Sequence, residues 1–211
     1  MALFSRSKST PTTEAAGTAV LDPSTAFDAG TVAVDDINGD YTLDVTHSRI
    51  GFSARHAMVT TVRGQFLDFE GNAHVDTVDP AKASVTVRIK TESIFTGQAQ
   101  RDQHLRTSDF FDVETYPEIV FVSTDVERVD EQTYSIAGDL TIKDVTRPVT
   151  VEFTLTGSAR DPYGNLRVGF EGAASINRKD WGLTYNAALE SGGVLVSDRI
   201  KLEFDVSAIA A

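Results

Sequence analysis

The sequence predicts an all-β protein in which one antiparallel sheet closes on itself. Apolar and polar residues alternate in successive segments between about residue 40 and residue 208. This pattern is typical of strands with one solvent-exposed and one buried face. No long helical pattern accompanies these segments, so no layer of helices is predicted to cover the apolar face of the sheet. The sheet therefore has to cover itself, by curling into a barrel or by folding into a sandwich.

Two features favour a barrel, although alternation by itself fits both architectures. Several predicted strands reach about ten residues, which is long for a sandwich. Glycine also recurs on the predicted inward faces, where a missing side chain permits a bend or leaves space. These positions are Gly71, Gly138, Gly157 and Gly172. We therefore expect an up-and-down antiparallel β-barrel.

The first half of the barrel is predicted from four alternating runs. Residues 41–45 and 50–56 form the opening strands, with their apolar members on one face. Residues 67–75 form the next strand, and an Asp-Pro turn separates it from the run at 85–89. Short connections of this kind make consecutive strands antiparallel neighbours.

A short helix and loop insertion is predicted near residues 91–116, where the alternation stops. Good helix formers between Gln98 and Thr107 predict the helix, and an aromatic cluster after it predicts an ordered loop. The following strand, residues 118–126, is apolar on both faces. We expect the helix to cover the outer side of that strand.

Further runs of alternation complete the sheet. They cover residues 134–142, 149–155, 166–176 and 199–208. The turn before the third of these runs contains Pro, Gly and Asn at positions that tight turns favour. The total is eight or nine strands.

Residues 1–38 differ from the rest of the chain in composition. They are rich in Ser, Thr, Ala and Pro and show no sustained periodicity. We expect a flexible N-terminal arm, of which residues 26–37 are able to dock, followed by one domain at residues 39–211.

The composition argues against several classes of function. The chain has 31 acidic and 19 basic residues and a formal net charge of −12, which opposes binding to nucleic acid or to anionic membranes. It contains no cysteine, which excludes disulfides and thiol nucleophiles. We find no secretory signal and no apolar run long enough to span a membrane, and we expect a cytoplasmic protein.

A series of short motifs carries a resemblance to a known family. In chain order they are YTLDVTHS at 41–48, GF at 51–52, GQF at 64–66, FEG at 69–71, SIFT at 93–96, RDQHL at 101–105, DFFD at 109–112, YPEIVF at 116–121, GDLTI at 138–142 and INRKDWGL at 176–183. Together they span nearly all of residues 40–208. On these motifs the chain resembles the YceI-like family.

The resemblance implies an extended, eight-stranded, lipocalin-like antiparallel β-barrel whose interior binds a long amphiphile, either a polyisoprenoid or an isoprenoid quinone. It implies non-enzymatic binding, storage or transport, with no cofactor other than the bound lipid. Many relatives carry secretion signals, and this chain departs from that pattern. The arm at 1–38 also lies outside the family pattern, and the sequence leaves open whether two copies form a homodimer.

The side chains expected to contact the lipid are those that point inward from the predicted strands. They are Phe52, His56, Leu67, Phe69, Val85, Val87, Phe121, Ile136, Leu140, Val151, Phe153, Val168, Phe170, Arg178, Leu202 and Phe204. We expect His56 and Arg178 to lie near an opening and to hold the head group. The sequence alone leaves open whether a gap separates the opposite walls.

Other chemistry remains as an alternative. The four histidines show no metal-ligand spacing, although His47 or His56 is available as a base in an enzyme that acts on an apolar substrate. Arg101 and Asp102 lie on the predicted helix, where we expect them to order the loop and not to react. The third alternative is a solid-core interaction domain.

Overall fold

The computed structural model describes residues 37–57, 59–188 and 194–211. These residues contain one α-helix, α1 (Ala99–Arg106), four short 3-10 helices and a set of antiparallel strands. The strands are β1 (Gly39–Leu43), β2 (Arg49–His56), β3 (Thr60–Phe66), β4 (Phe69–Val75), β5 (Ser84–Lys90), β6 (Ile94–Phe95), β7 (Glu118–Arg128), β8 (Thr133–Ile142), β9 (Val145–Arg160), β10 (Leu166–Asn177) and β11 (Val196–Ala210).

The strands form a closed barrel with eight strand positions, which confirms the predicted fold class. We call each position a stave, whether it is one continuous strand or two consecutive strands with a break between them. Three staves are interrupted once each, so that β1 continues into β2, β3 into β4, and β5 into β6. Each stave pairs with the next one in the chain, and the last strand, β11, pairs with the first stave. The closing pairs include Tyr41 with Ala210 and Phe52 with Leu202.

The predicted boundaries needed correction in the second stave. We predicted a strand at 67–75, but the strand begins at Phe69, and β3 was missed altogether. Leu67 lies in the break between β3 and β4 and is 54% exposed. A glycine at the centre of β3 weakens its alternation, which explains why the pattern was overlooked.

The folded part begins before Gly39. Ile37 is fully buried, and its carbonyl oxygen accepts a hydrogen bond of 2.9 Å from the hydroxyl of Tyr41. The Asn38 side chain accepts from the backbone N–H of Thr77 at 2.6 Å. The last two residues of the predicted arm therefore belong to the barrel, while residues 1–36 lie outside the described residues.

The short helix is confirmed, but its predicted place is wrong. Gln98 caps α1, and the helix packs beside β6, where Arg106 donates to the carbonyl oxygens of Glu92 and Ile94 at 2.8 and 3.1 Å. It does not cover the outer side of β7, where Val122 stays 45% exposed. The helix is too polar to cover an apolar strand face, and polar contacts hold it instead.

Two buried clusters lie at opposite ends of the barrel. The first includes Phe66, Ile94, Phe110, Trp181 and Leu183, close to α1. The second joins β1 to the ends of β7 and β9 and to the starts of β8 and β10. It consists of Ile37, Tyr41, Val126, Tyr134, Leu155, Leu166 and Val168. Among the described residues, no helix is long and apolar enough to cross a membrane.

Candidate functional site

The barrel encloses an apolar cavity between its two end clusters, with a volume of about 470 Å³. Side chains on the inner face show the same feature independently. Phe153, Leu202 and Phe204 point into the barrel but are only half-buried, because their tips face the cavity. The walls therefore do not meet in the middle, and we call this space the lumen.

Most of the residues predicted to contact a lipid lie on the lumen wall. Fourteen of the sixteen do so: Phe52, His56, Val85, Val87, Phe121, Ile136, Leu140, Val151, Phe153, Val168, Phe170, Arg178, Leu202 and Phe204. Leu67 is outside because the strand is broken there, and Phe69 is buried in the end cluster beside α1. That the fourteen residues contact a lipid stays a prediction.

The lumen is long and narrow. On β11 its wall runs from Val196 to Ala208, which is roughly 30 Å along the axis at about 3.4 Å per residue and a tilt of about 40°. Spread over that length, the cavity volume leaves a mean cross-section of about 16 Å² for the centres of small groups. The lumen is therefore several times longer than it is wide, and this elongated shape suits a chain-like ligand.

One end of the lumen carries the basic and aromatic side chains of α1 and its neighbours. The His104 ring packs edge-to-face on Phe110 and Tyr185, with centroid distances of 5.2 and 4.9 Å. Its Nε2 lies 2.8 Å from a carboxylate oxygen of Asp109, and the side chain is 41% exposed. His104 therefore lies between the lumen and the solvent at this end of the barrel.

Arg101 and Asp102 order the same end of the barrel, as expected. Nε of Arg101 donates to the hydroxyl of Thr96 at 2.7 Å. The buried Asp102 carboxylate accepts hydrogen bonds from the N–H of Thr96, at 2.9 Å, and from its hydroxyl. Both side chains therefore fix β6 and α1 relative to each other.

Arg178 lies on the lumen wall, but its donors are used within the protein. Nη1 donates to the carbonyl oxygens of Leu183 and Tyr185 at 2.5 and 2.8 Å, and Nε donates to that of Ser197 at 3.0 Å. The other terminal nitrogen lies 3.5 Å from acceptors of Val196 and Asp198. Burial lowers the pKa of the guanidinium. Its role in binding a head group stays a prediction, while its role in shaping the wall is direct.

The histidines are spread over the molecule. The His56 ring faces the lumen and has no hydrogen-bond partner among the residues that the structure describes. His47 lies on the outer surface, 67% exposed, with Nδ1 2.8 Å from the Asp44 carboxylate. His74 pairs with Asp40 at 2.7 Å. Within residues 37–57, 59–188 and 194–211, no cluster of three or more acidic or histidine side chains could hold a metal.

The most strongly lowered carboxyl pKa values in the described part of the chain lie away from the lumen. Hydrogen bonds from Thr46 and then Arg167 lower the pKa of Asp44 far below its usual range. Hydrogen bonds from Asn165 and Arg167 lower the pKa of Asp161 to about 2. The Arg167 guanidinium bridges the two carboxylates, so this cluster joins the break after β1 to the start of β10.

Several residues that line the lumen were not predicted from the sequence. Leu183, Tyr185 and Leu195 lie in the connection before β11, where no alternation predicts an inward face. Phe110 and Phe111 were recognised only as an aromatic cluster. Nothing in local spacing shows that this loop folds over the barrel end, because that contact is set by the tertiary structure.

The fold and the cavity define the chain as an eight-stranded antiparallel β-barrel protein with an apolar lumen. A model of the YceI-like domain matches residues 41–208. The chain belongs to the YceI-like family, as the sequence motifs predicted.

Known proteins agree with this assignment. A UPF0312 protein of Pseudomonas savastanoi is 38% identical over 146 residues, covering 68% of this chain and 76% of the relative. The crystal structure of Burkholderia cenocepacia BcnA has a TM-score of 0.69 at 23% identity and covers 78% of this chain and 98% of that one. A Saccharophagus degradans structure described as a polyisoprenoid binding domain has a TM-score of 0.60 at 17% identity, with coverages of 81% and 98%.

Proposed function

We propose that this protein binds a long isoprenoid chain in its lumen without transforming it, and so stores or transports a polyisoprenoid or an isoprenoid quinone. The observation that carries the proposal is the shape of the lumen, which is apolar, roughly 30 Å long and several times longer than it is wide. The bilayer hydrocarbon core is also about 30 Å thick, so the lumen matches a chain about twice as long as an acyl chain of one leaflet.

The family and a structural neighbour support this choice of ligand. The Saccharophagus degradans neighbour is described as a polyisoprenoid binding domain, and it shares the fold at 17% identity. The elongated lumen also favours a linear chain over a compact fused ring system. These observations concern the class of ligand, and the prenyl chain and its head group belong to the proposal.

The energetics of burial are sufficient for tight binding. Each methylene-sized unit that leaves water contributes about 0.8 kcal/mol. At about 0.3 kcal/mol per heavy atom, a ligand of about forty carbons reaches on the order of 12 kcal/mol, which corresponds to roughly nanomolar affinity. No ion pair with the ligand is needed to reach this value.

We place the head group at the end of the lumen that contains α1. His56 offers a ring nitrogen there that the described residues leave free for a ligand, and a quinone carbonyl is a suitable acceptor. Arg178 supports this end by holding Val196, the strand partner of His56, and Tyr185.

The test is organic extraction of natively purified protein followed by mass spectrometry, together with uptake of a prenyl quinone by delipidated protein. We expect a co-purified prenyl lipid and saturable uptake at about one ligand per barrel. Protein that contains no lipid and takes up no prenyl quinone would overturn the proposal.

An enzymatic alternative rests on the His56 ring in the lumen, for which residues 37–57, 59–188 and 194–211 provide no hydrogen-bond partner. His47 is not available for this role, because it lies on the outer surface. The alternative expects that His56→Ala abolishes turnover of a bound prenyl substrate while uptake continues. Uptake by the unaltered protein without any change in the ligand removes it. The solid-core alternative does not agree with the open lumen.

A further inference from the structure

Phenylalanine rings on the lumen wall lie over glycines of the neighbouring strand. A Cβ atom placed on Gly64 would stand 2.4 Å from Cζ of Phe52, far inside van der Waals contact. A Cβ atom on Gly172 would stand 2.5 Å from Cδ1 of Phe153. A third pair, Phe121 and Gly138, has the same relationship at 2.4 Å. Each ring therefore occupies the space above a glycine.

These rings lie along the wall instead of pointing at the axis. Phe153 and Phe204 are the strand partners of Gly172 on its two sides, and their ring centroids are 5.5 Å apart. Strands separated by one other strand are about 10 Å apart. The two rings thus lean toward each other over the glycine, and the centre of the lumen stays open.

We propose that Gly64, Gly138 and Gly172 set the internal width of the lumen and thereby the length of the chain that it admits. The inference rests on the proposed function, because it explains how a wall rich in phenylalanine accommodates a long chain. A side chain at any of the three positions meets a ring, and at Gly138 and Gly172 it also meets a backbone carbonyl oxygen, of Val122 at 2.6 Å and of Glu152 at 2.9 Å. In an elongated lumen, a displaced ring obstructs the path of the chain.

Gly64 gives the sharpest case, because the atoms that its Cβ would meet belong to side chains. The second neighbour is Cγ2 of Thr96, at 2.9 Å. Thr96 is held by its hydrogen bonds to Asp102 and Arg101, so it cannot yield easily. The Phe52 ring is the group that moves. On its other side the strand partner is Leu202, so the ring turns toward the axis.

The test compares Gly64→Ala with Gly51→Ala, a control one residue from Phe52. A Cβ on Gly51 would meet only the far end of the Arg49 side chain, which is flexible. Delipidated proteins are titrated with farnesol, a short prenyl alcohol, and with solanesol, a long one. We expect Gly64→Ala to bind solanesol at least about tenfold more weakly than the parent protein, because the displaced ring obstructs the long chain where it passes Phe52. Farnesol should bind as it does to the parent protein, because the short chain does not need to pass the ring. Gly51→Ala should bind both like the parent.

A second variant removes the ring and keeps the added methyl group. The double variant Phe52→Leu with Gly64→Ala should recover solanesol binding, which also shows that the alanine does not act by unfolding the barrel. Equal solanesol binding by Gly64→Ala and Gly51→Ala would overturn the proposal, as would a double variant that stays defective although it melts like the parent.

The failure of the proposed function gives a different result. A parent protein that binds neither alcohol removes isoprenoid binding itself. The effect of Gly64 on the internal width of the lumen is then determined from a crystal structure of the Gly64→Ala variant. A Phe52 ring turned into the lumen supports the proposal, and a ring in its present position overturns it.

Discussion

Arg178 donates from Nη1 to the carbonyl oxygen of Tyr185 at 2.8 Å and thereby ties the end of β10 to the connection that closes the lumen. The guanidinium also holds the carbonyls of Leu183 and Ser197. A single buried side chain thus satisfies backbone acceptors in a segment with little regular structure of its own. Such acceptors would otherwise lie unsatisfied in a dry environment.

Replacing Arg178 should therefore loosen the lumen end before it affects the distant strands. We expect Arg178→Met to lower the free energy of unfolding by about 3 kcal/mol or more, because several buried acceptors lose their donor. Hydrogen exchange should increase at residues 183–187 first. Lys179→Met is the control, since Lys179 is 45% exposed. Unchanged exchange at 183–187 in a folded Arg178→Met protein would contradict this role.

Filling the lumen should abolish uptake without unfolding the barrel. Leu202 points inward from β11, and its neighbour Glu203 points to the other face of the sheet. We expect Leu202→Trp to reduce prenyl quinone uptake at least about tenfold, because the ring occupies the path of the chain. Glu203→Trp should bind like the parent. Equal uptake by the two variants, measured by fluorescence titration, would place the ligand outside the lumen.

The cluster of Asp44, Arg167 and Asp161 should make stability depend on acid pH. Both carboxyl pKa values are lowered in the folded protein, so the stabilisation is present above about pH 4 and is lost as the pH falls toward about 2. We expect Arg167→Gln to melt at a lower temperature at neutral pH and to lose less stability on acidification.

The control for this prediction is Lys201→Gln, which breaks an exposed pair with Glu203 of 3.0 Å. Exposed pairs contribute little, so its melting curve should follow that of the parent at every pH. Thermal melts between neutral pH and about pH 2 measure both variants. Parallel curves for Arg167→Gln and the parent would show that the cluster does not act as described.

Trp181 should contribute to stability but not to binding. It is 3% exposed, and its indole N–H donates to the carbonyl oxygen of Leu140 at 3.0 Å. We expect Trp181→Phe to cost about 1–3 kcal/mol, because it leaves a buried acceptor without its donor. Prenyl quinone uptake by the folded fraction should stay at the parent level, and a selective loss of uptake would assign Trp181 to the site.

Alternation predicted much of the wall, because the period of two decides which face each side chain takes. Leu202 and Phe204 were placed on the lumen side for this reason alone, and the structure agrees. The prediction that Leu67 lines the lumen was wrong because it assumed an uninterrupted strand. The strand is interrupted between β3 and β4, and the alternation does not continue through the break.

The width of the lumen was not predictable from the same pattern. An inward-facing Phe153 fits a filled core as well as an open one, and the ring's direction depends on Gly172 in the next strand. Likewise, Arg178 gave no local sign that its donors bind a segment five to nineteen residues further along the chain. Both features depend on contacts between elements, which local spacing does not report.

Site-mapped photo-crosslinking tests the central claim, that a prenyl chain occupies the lumen, most directly. A prenyl quinone with a diazirine at the tail of its chain is bound, irradiated and located by peptide mass spectrometry. The account predicts adducts on inward residues of the barrel, such as Leu202 and Phe204, that excess solanesol suppresses. Adducts confined to outward residues such as Lys201 and Glu203, or an absence of competition, would contradict it.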